Sequence, residues 1–515
     1  MKNKYKILIT IIIIFILLFS TYIYYNNKLI STENNKKIKD IKKFNDTISP
    51  YGIEQGMSVE ICRIHKKGIE KEIRKIGNSW KKNPIYFFEV DVDGEKWIGN
   101  KIKSWDTGYI RWEALEFVED EKEVSEVKIS IKETQKSLFQ KKDVEIENIN
   151  LIYDYRTGRW FGDDSFNDSD GYGHYNGKNY EIWFDLHPFD PDCDGIPYWV
   201  ENNILCTNSN IDDSKLDPDN DGIPTSWEWK WGYDPFIWDN HSYIDSDVDG
   251  LENIEEFFME KWLANPFYQD IYAEVDFMEK GPGIFAYEHV LGKESQYMIM
   301  DKFSEHNIAL HIDDGWPSES KIGGGEYLDY YENKIDPSSG EGSYYYKYHF
   351  NENRKGIFRY VFIQHGVAGW GLPQDYCWKP NVISIPYNKK WFLNAFFPPA
   401  LTPRLQKIAH AIVLMHELGH SLGLIPSYCE GIDNKSMVGR NDLPPLQKFQ
   451  EKRNAIQYWE NYESVMNYNK FSRYLLDYSD GSHGEHDKDD WSAIDLRFFQ
   501  NIAPCTYGIG DNFRK

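Results

Sequence analysis

Two histidines and a glutamate in the stretch VLMHELGHSLGLIPSYCEGIDN, Val413 to Asn434, have the types and spacing to hold and use a metal ion. His416 and His420 lie four residues apart, with Glu417 directly after the first. On a helix such positions share one face, so two imidazole nitrogens can reach one zinc ion. Glu417 then projects beside an open coordination position. There it can take the proton of a water whose pKa the metal lowers.

A second metal chemistry recurs upstream. DPDCDGIPYWVE (Asp190–Glu201), DPDNDGIPTSWE (Asp217–Glu228) and DSDVDGLENIEE (Asp245–Glu256) begin 27 and 28 residues apart, an internal repeat. Each carries Asp at positions 1, 3 and 5, Gly at 6, an aliphatic residue at 7 and Glu at 12. Carboxylates on alternate positions converge on one hard cation, residue 7 offers its carbonyl, and the glutamate closes the site bidentately. The expected calcium ligands are Asp190, Asp192, Asp194, Ile196 and Glu201 in the first loop. Asp217, Asp219, Asp221, Ile223 and Glu228 serve the second, and Asp245, Asp247, Asp249, Leu251 and Glu256 the third. The loops resemble dockerin-like and thrombospondin-type-3-like calcium repeats over about 80 residues. That resemblance implies structural calcium and no chemistry.

The elements that must position the histidines are legible nearby. TPRLQKIAHAIVLMHELGHSLGL places Thr402 as N-cap, Pro403 at N1 and apolar residues at Leu405, Ile408, Ile412, Met415 and Leu422, with Gly423 as the stop. IYAEVDFM and IALHID predict strands flanking the helical YMIMDKFSEH. Tyr360–Leu372 is expected to be an edge strand along which an extended peptide could lie.

ESVMNYN follows at Glu463–Asn469, with Met466 lying 46 residues beyond His420. Here the chain resembles the metzincin zinc endopeptidases, in which a tight turn carrying a methionine underlies the zinc site. His416, Glu417, His420 and Gly423 match that family's helix, and Met466 matches the turn. Tyr468 occupies the place of a tyrosine that some members move between the metal and the oxyanion. The resemblance covers roughly the last 250 residues and is motif-specific at these two stretches.

The family's extended pattern puts a His or Asp six residues past the second histidine, where this chain has Pro426. Proline cannot ligate zinc. Ser427 is a poor ligand, and Cys429 would quench a protease site and is expected to pair with another cysteine. Asp433 sits in a Gly-Ile-Asp-Asn turn whose glycine lets the chain double back. Asp433 is therefore taken as the third ligand, with Glu430, His483 and His486 as alternatives and a plain Asx-turn as the bland outcome.

The rest of the chain reads as separate domains, a multidomain expectation for 515 residues. Met1–Tyr25 (1–25) carries three lysines and then an uncharged run, about 28 Å long as a helix, a retained membrane anchor with a cytoplasmic stub. A stalk (26–50) leads to short alternating runs between turns, a β-sandwich (51–185). The repeats (186–266) and an α/β zincin-like catalytic domain (267–515) follow. Fifty-eight basic against 82 acidic residues, a net charge of -24, argue against nucleic acid as a partner. Of six cysteines, Cys193 and Cys206 are the best-placed disulfide pair.

The reading is a membrane-anchored, extracellular zinc endopeptidase acting on proteins or peptides, with zinc catalytic and calcium structural. A secreted form is the alternative localisation. The rival is a calcium-dependent surface adhesion protein with a degenerate zincin domain. An intracellular-facing protein is a third reading, because six lysines between Lys28 and Lys43 follow the anchor.

Overall fold

The computed structural model describes residues 55–500, apart from 76–82, 119–121, 137–140, 166–170, 189, 191, 283–288, 316–323, 332–339, 366–381, 388–401, 427 and 435–443. The anchor, the stalk and Ser427 lie outside the described residues. Among the described residues no helix is long and apolar enough to cross a membrane.

Among the described residues, the first unit is built from nine strands. β1 (Gly56–Lys66), β4 (Asp106–Phe117), β8 (Gly173–Asn176) and β9 (Tyr180–Pro188) form an antiparallel sheet in the order β4-β1-β9-β8. β2 (Tyr86–Val92), β3 (Glu95–Ile98), β5 (Val124–Lys136), β6 (Lys141–Asp154) and β7 (Arg159–Gly162) form a second, ordered β3-β2-β5-β6-β7. Alternate residues of the two sheets, among them Val59, Ile61, Phe184, Phe88, Ile129 and Leu151, meet in one buried core. Period-2 alternation, apolar in and polar out, is what sends those residues inward. β9 runs to Pro188, three residues past the expected boundary.

The acidic repeats follow as loops joined by short helices: α2 (Tyr198–Val200), α3 (Thr225–Trp231) and α4 (Asn253–Phe258). Their apolar residues make two small clusters around Ile196, Trp199 and Leu205, and around Ile223, Trp227 and Trp231.

The C-terminal unit is a parallel sheet in the order β11-β10-β13-β14, comprising β10 (Asp270–Met278), β11 (Ala309–Asp313), β13 (Phe358–His365) and β14 (Val382–Tyr387). β12 (Tyr327–Leu328) pairs with the end of β10. All nine residues of β10 are buried, as a parallel strand covered on both faces must be. On one face lie α5 (Lys293–Ser304) and the long α7 (Thr402–Ser421), whose Ile408, Ile412, Met415 and Leu418 pack with Ile271, Ala273 and Val275. Tyr272, Tyr360 and Phe362 pack with Trp262 and Tyr345 of α6 (Gly340–Tyr348) on the other. α1 (Ile69–Arg74), from the first unit, joins the α5–α7 core through Ile69 and Ile73, and α8 (Pro445–Tyr458) precedes the Met466 turn.

Two expectations need correction. The strand expected at the edge, Tyr360–Leu372, is interior where it is described, because β13 pairs with β10 on one side and β14 on the other. Its run of Tyr360–Ile363 is buried, which the sequence shows only as apolarity. Among the described strands β14 takes that edge instead. Cys193 and Cys206 are both exposed free thiols, and Cys429 is also unpaired. Cys193 holds the fourth position of its loop at φ 62, a backbone role that needs no partner.

Candidate metal centre

α7 delivers His416 and His420 to one face, and the structure brings Asp433 against them. His416 Nε2 lies 3.1 Å from Asp433 Oδ1, and His420 Nε2 lies 3.6 Å from Asp433 Oδ2. One ligand atom from each lies within 4.8 Å of the others. Gly431 at φ 97 and Asp433 at φ 51 make the reversal that returns the carboxylate to the helix. The alternatives go elsewhere. Glu430 is exposed near Lys488 at 3.6 Å, His483 pairs with Asp487 at 2.9 Å, and His486 stacks on Tyr458 with centroids 3.7 Å apart.

The turn at Ser464–Asn467 holds this arrangement from below. His416 Nδ1 donates to Val465 O at 2.8 Å, and the Met466 carbonyl accepts from Asp433 N at 3.0 Å. His420 Nδ1 donates to Leu424 O at 2.7 Å, past the glycine turn at Gly423. A carbonyl only accepts, so both Nδ1 atoms carry hydrogen and both Nε2 atoms face the carboxylate. Met466 is fully buried, and its sulfur sits where a side chain at Gly419 would go: a Cβ there would meet Sδ at 2.7 Å. Tyr468 lies over the His416 ring, with centroids 5.2 Å apart and planes 28° from parallel. Glu417 is buried beside them on the helix.

Electrostatics follow from burial and proximity. Burial opposes a charge on His416, yet the hydrogen bond and charge of Asp433 raise its pKa. Burial likewise opposes ionisation of Asp433, but His416 and His420 hold it well below the usual carboxylate range. The donor set fits zinc. Two imidazoles and one carboxylate, with a ligand atom from each within 4.8 Å of the others, would leave a fourth position open for water.

The three acidic loops share one backbone. Cys193, Asn220 and Val248 at position 4, and Gly195, Gly222 and Gly250 at position 6, all have positive φ. In each, the first Asp accepts from the Gly N–H, at 2.7, 3.1 and 3.2 Å. The Asp at position 5 accepts from the N–H of residue 7, at 2.8, 3.0 and 2.8 Å. Other carboxylate oxygens are buried with no donor: both of Asp192, Glu228 and Glu256, and one each of Asp194, Glu201, Asp219 and Asp247. Burial, then neighbouring carboxylates, pushes Glu201 up to about 8 and Asp247 up to about 9. Such crowding is what a bound cation relieves.

Sequence reasoning missed several participants. Asp213 returns to within ligand distance of Asp194 and Glu201, and His241 to Asp221 and Glu228. A lone Asp or His a dozen residues past a loop carries no sequence signal. The carbonyls of Val465 and Leu424 carry none either, since main-chain acceptors look alike in every residue.

No family model matches the chain, and no curated protein matches it. Among solved structures it is similar to the Drosophila C2-DSL-EGF1 fragment, at TM-score 0.20 and 4% identity over 26% of this chain and 67% of that one. It is also similar to human GIVD cytosolic phospholipase A2, at TM-score 0.17 and 9% identity over 26% of this chain and 17% of that one. A third is the structure of the paired C2 domains of Extended-Synaptotagmin 2, at TM-score 0.17 and 10% identity over 27% of this chain and 42% of that one. The chain thus spans less than half the length of the latter two, and at these scores the likeness carries no argument.

Proposed function

We propose that the chain is a zinc-dependent endopeptidase whose large domain works outside the cell, with cations bracing its repeat segment. The observation that carries this reading is the meeting of His416, His420 and Asp433 beside Glu417. His416 Nε2, His420 Nε2 and an Asp433 oxygen would hold the ion. When bound, zinc supplies Lewis-acid polarisation of a carbonyl and lowers the pKa of a water. The Glu417 carboxylate accepts the proton of the attacking water and returns it to the leaving amine. Tyr468, over the His416 ring, donates its phenolic hydrogen to the oxyanion that develops on the scissile carbonyl. Val465 O keeps His416 in the tautomer that offers Nε2. For the first and third acidic loops, whose donors are oxygen, calcium is the cation we propose.

The test separates base from ligands. Glu417→Ala keeps its zinc, measured by elemental analysis, and loses about 10²–10⁴-fold in cleavage of casein-like substrates. Cleavage at the wild-type rate would overturn the reading.

A further inference from the structure

The middle acidic loop differs from the first in one donor. In the first loop, the side chain that returns to the Asp at position 5 and closing Glu is Asp213, another carboxylate. In the middle loop the returning side chain is His241. Its Nε2 lies 3.1 Å from Asp221 Oδ2 and 3.7 Å from Glu228 Oε1. His241 is 1% exposed and Glu228 0%. Although Asp221 is close, Nε2 makes no aligned hydrogen bond, and neither Glu228 oxygen has a donor. His241 Nε2 and the Glu228 oxygens thus lie buried without an aligned partner around one point, where the third atom, Asp221 Oδ2, accepts from Asp239 N–H at 3.3 Å.

The other ring nitrogen supports the same conclusion. His241 Nδ1 is 2.8 Å from Asn253 Nδ2, while Asn253 Oδ1 is buried with no donor. Turning that amide over lets Nδ1–H donate to Oδ1, which leaves the Nε2 lone pair directed at Asp221 and Glu228. The separations, 3.1 and 3.7 Å, nearly repeat the 3.1 and 3.6 Å at His416, His420 and Asp433. Imidazole nitrogen suits borderline transition ions, whereas calcium takes oxygen donors.

We propose that Asp221, Glu228 and His241 form a second transition-metal site, so that the middle loop holds a borderline divalent ion such as zinc in place of calcium. It would brace the repeat segment, far in sequence from the His416 cluster. Trp227 and Tyr233 pack edge-on against the His241 ring, with centroids 6.0 and 5.0 Å away, and hold it in place.

The test uses the full chain, stripped of metal and equilibrated with zinc in millimolar calcium. His241→Ala is expected to bind one zinc ion fewer than wild type, and His416→Ala one fewer independently. Glu228→Gln checks the first result through a different donor. Should either variant fail to fold, zinc-edge anomalous scattering from wild-type crystals decides, with a peak expected beside His241 Nε2. Equal zinc content in folded His241→Ala and wild type, or no zinc peak there, overturns the proposal and makes His241 a hydrogen-bonding core residue. Loss of zinc in His241→Ala but not His416→Ala supports this site and removes the endopeptidase reading instead.

Discussion

Gly419 lies between His416 and His420, and replacing it with alanine tests whether the Met466 turn positions them. An added Cβ would sit 2.7 Å from Met466 Sδ and 3.1 Å from the Tyr478 ring and hydroxyl. Unstrained contact needs about 3.5 Å or more, so the turn must retreat by about 0.8 Å. Neither neighbour can swing aside: Met466 is fully buried, and the Tyr478 hydroxyl donates to Met415 O at 2.5 Å. Overpacking costs about 1–3 kcal/mol, while alanine regains about 1 kcal/mol of helix propensity. The net loss is then about 0–2 kcal/mol, a fall in melting temperature of at most roughly 8 °C. The displacement matters more than the stability. It falls on the segment whose carbonyls hold His416 Nδ1 and Asp433 N. Disturbing such support lowers metal affinity about 10–100-fold, and a misplacement near 1 Å costs about 10²-fold in turnover. Competition against a chelating dye, alongside a thermal melt, reads the two effects separately. Gly419→Ala with wild-type zinc affinity would refute the claim that this turn sets the site's geometry.

Asp433→Ala should release zinc and abolish cleavage together, whereas Glu430→Ala, whose carboxylate is exposed near Lys488, should leave zinc content unchanged; elemental analysis of both variants decides. Calcium at about 100 times its Kd should stabilise the chain by about 2.7 kcal/mol through the third loop alone, and Glu256→Gln should remove that share, leaving the first loop's, in a calcium-dependent melt. A melt indifferent to calcium would remove the cation from both the first and the third loop. His65, buried between Asp106 and Asp301, gives a pH prediction. Burial opposes its charge, but the two carboxylates raise its pKa to about 9. A folded pKa above the unfolded value of about 6.5 makes this contribution complete below pH 6.5 and lost as pH rises through 9. Denaturant melts should show stability falling across that window by up to about 3 kcal/mol, and His65→Gln should flatten the slope.

Local spacing carries part of this protein's organisation without help from the fold. The four-residue interval between His416 and His420 places both on one face of any helix, and alternate aspartates before a glycine converge in any such loop. Those features are short-range, so composition and spacing state them outright. The apolar run at Tyr360–Ile363 is also plain, but the same residues suit an edge or an interior strand. Pairing of β13 with both β10 and β14 decides between them. Asp433 stood among several carboxylates and imidazoles within reach of the histidines by chain length. Only the reversal at Gly431 and the Met466 carbonyl bring its carboxylate to the histidines, because a side chain's reach is set by where its backbone is pinned. Cys193 looked available for a disulfide, yet the loop's left-handed geometry at that position accounts for it without one. His241 shows the same limit most clearly. Its place against Asp221 and Glu228 depends on how Asn253 and the rings of Trp227 and Tyr233 close around it. Contacts between residues distant in the chain belong to the packed core, and spacing along the sequence does not encode them.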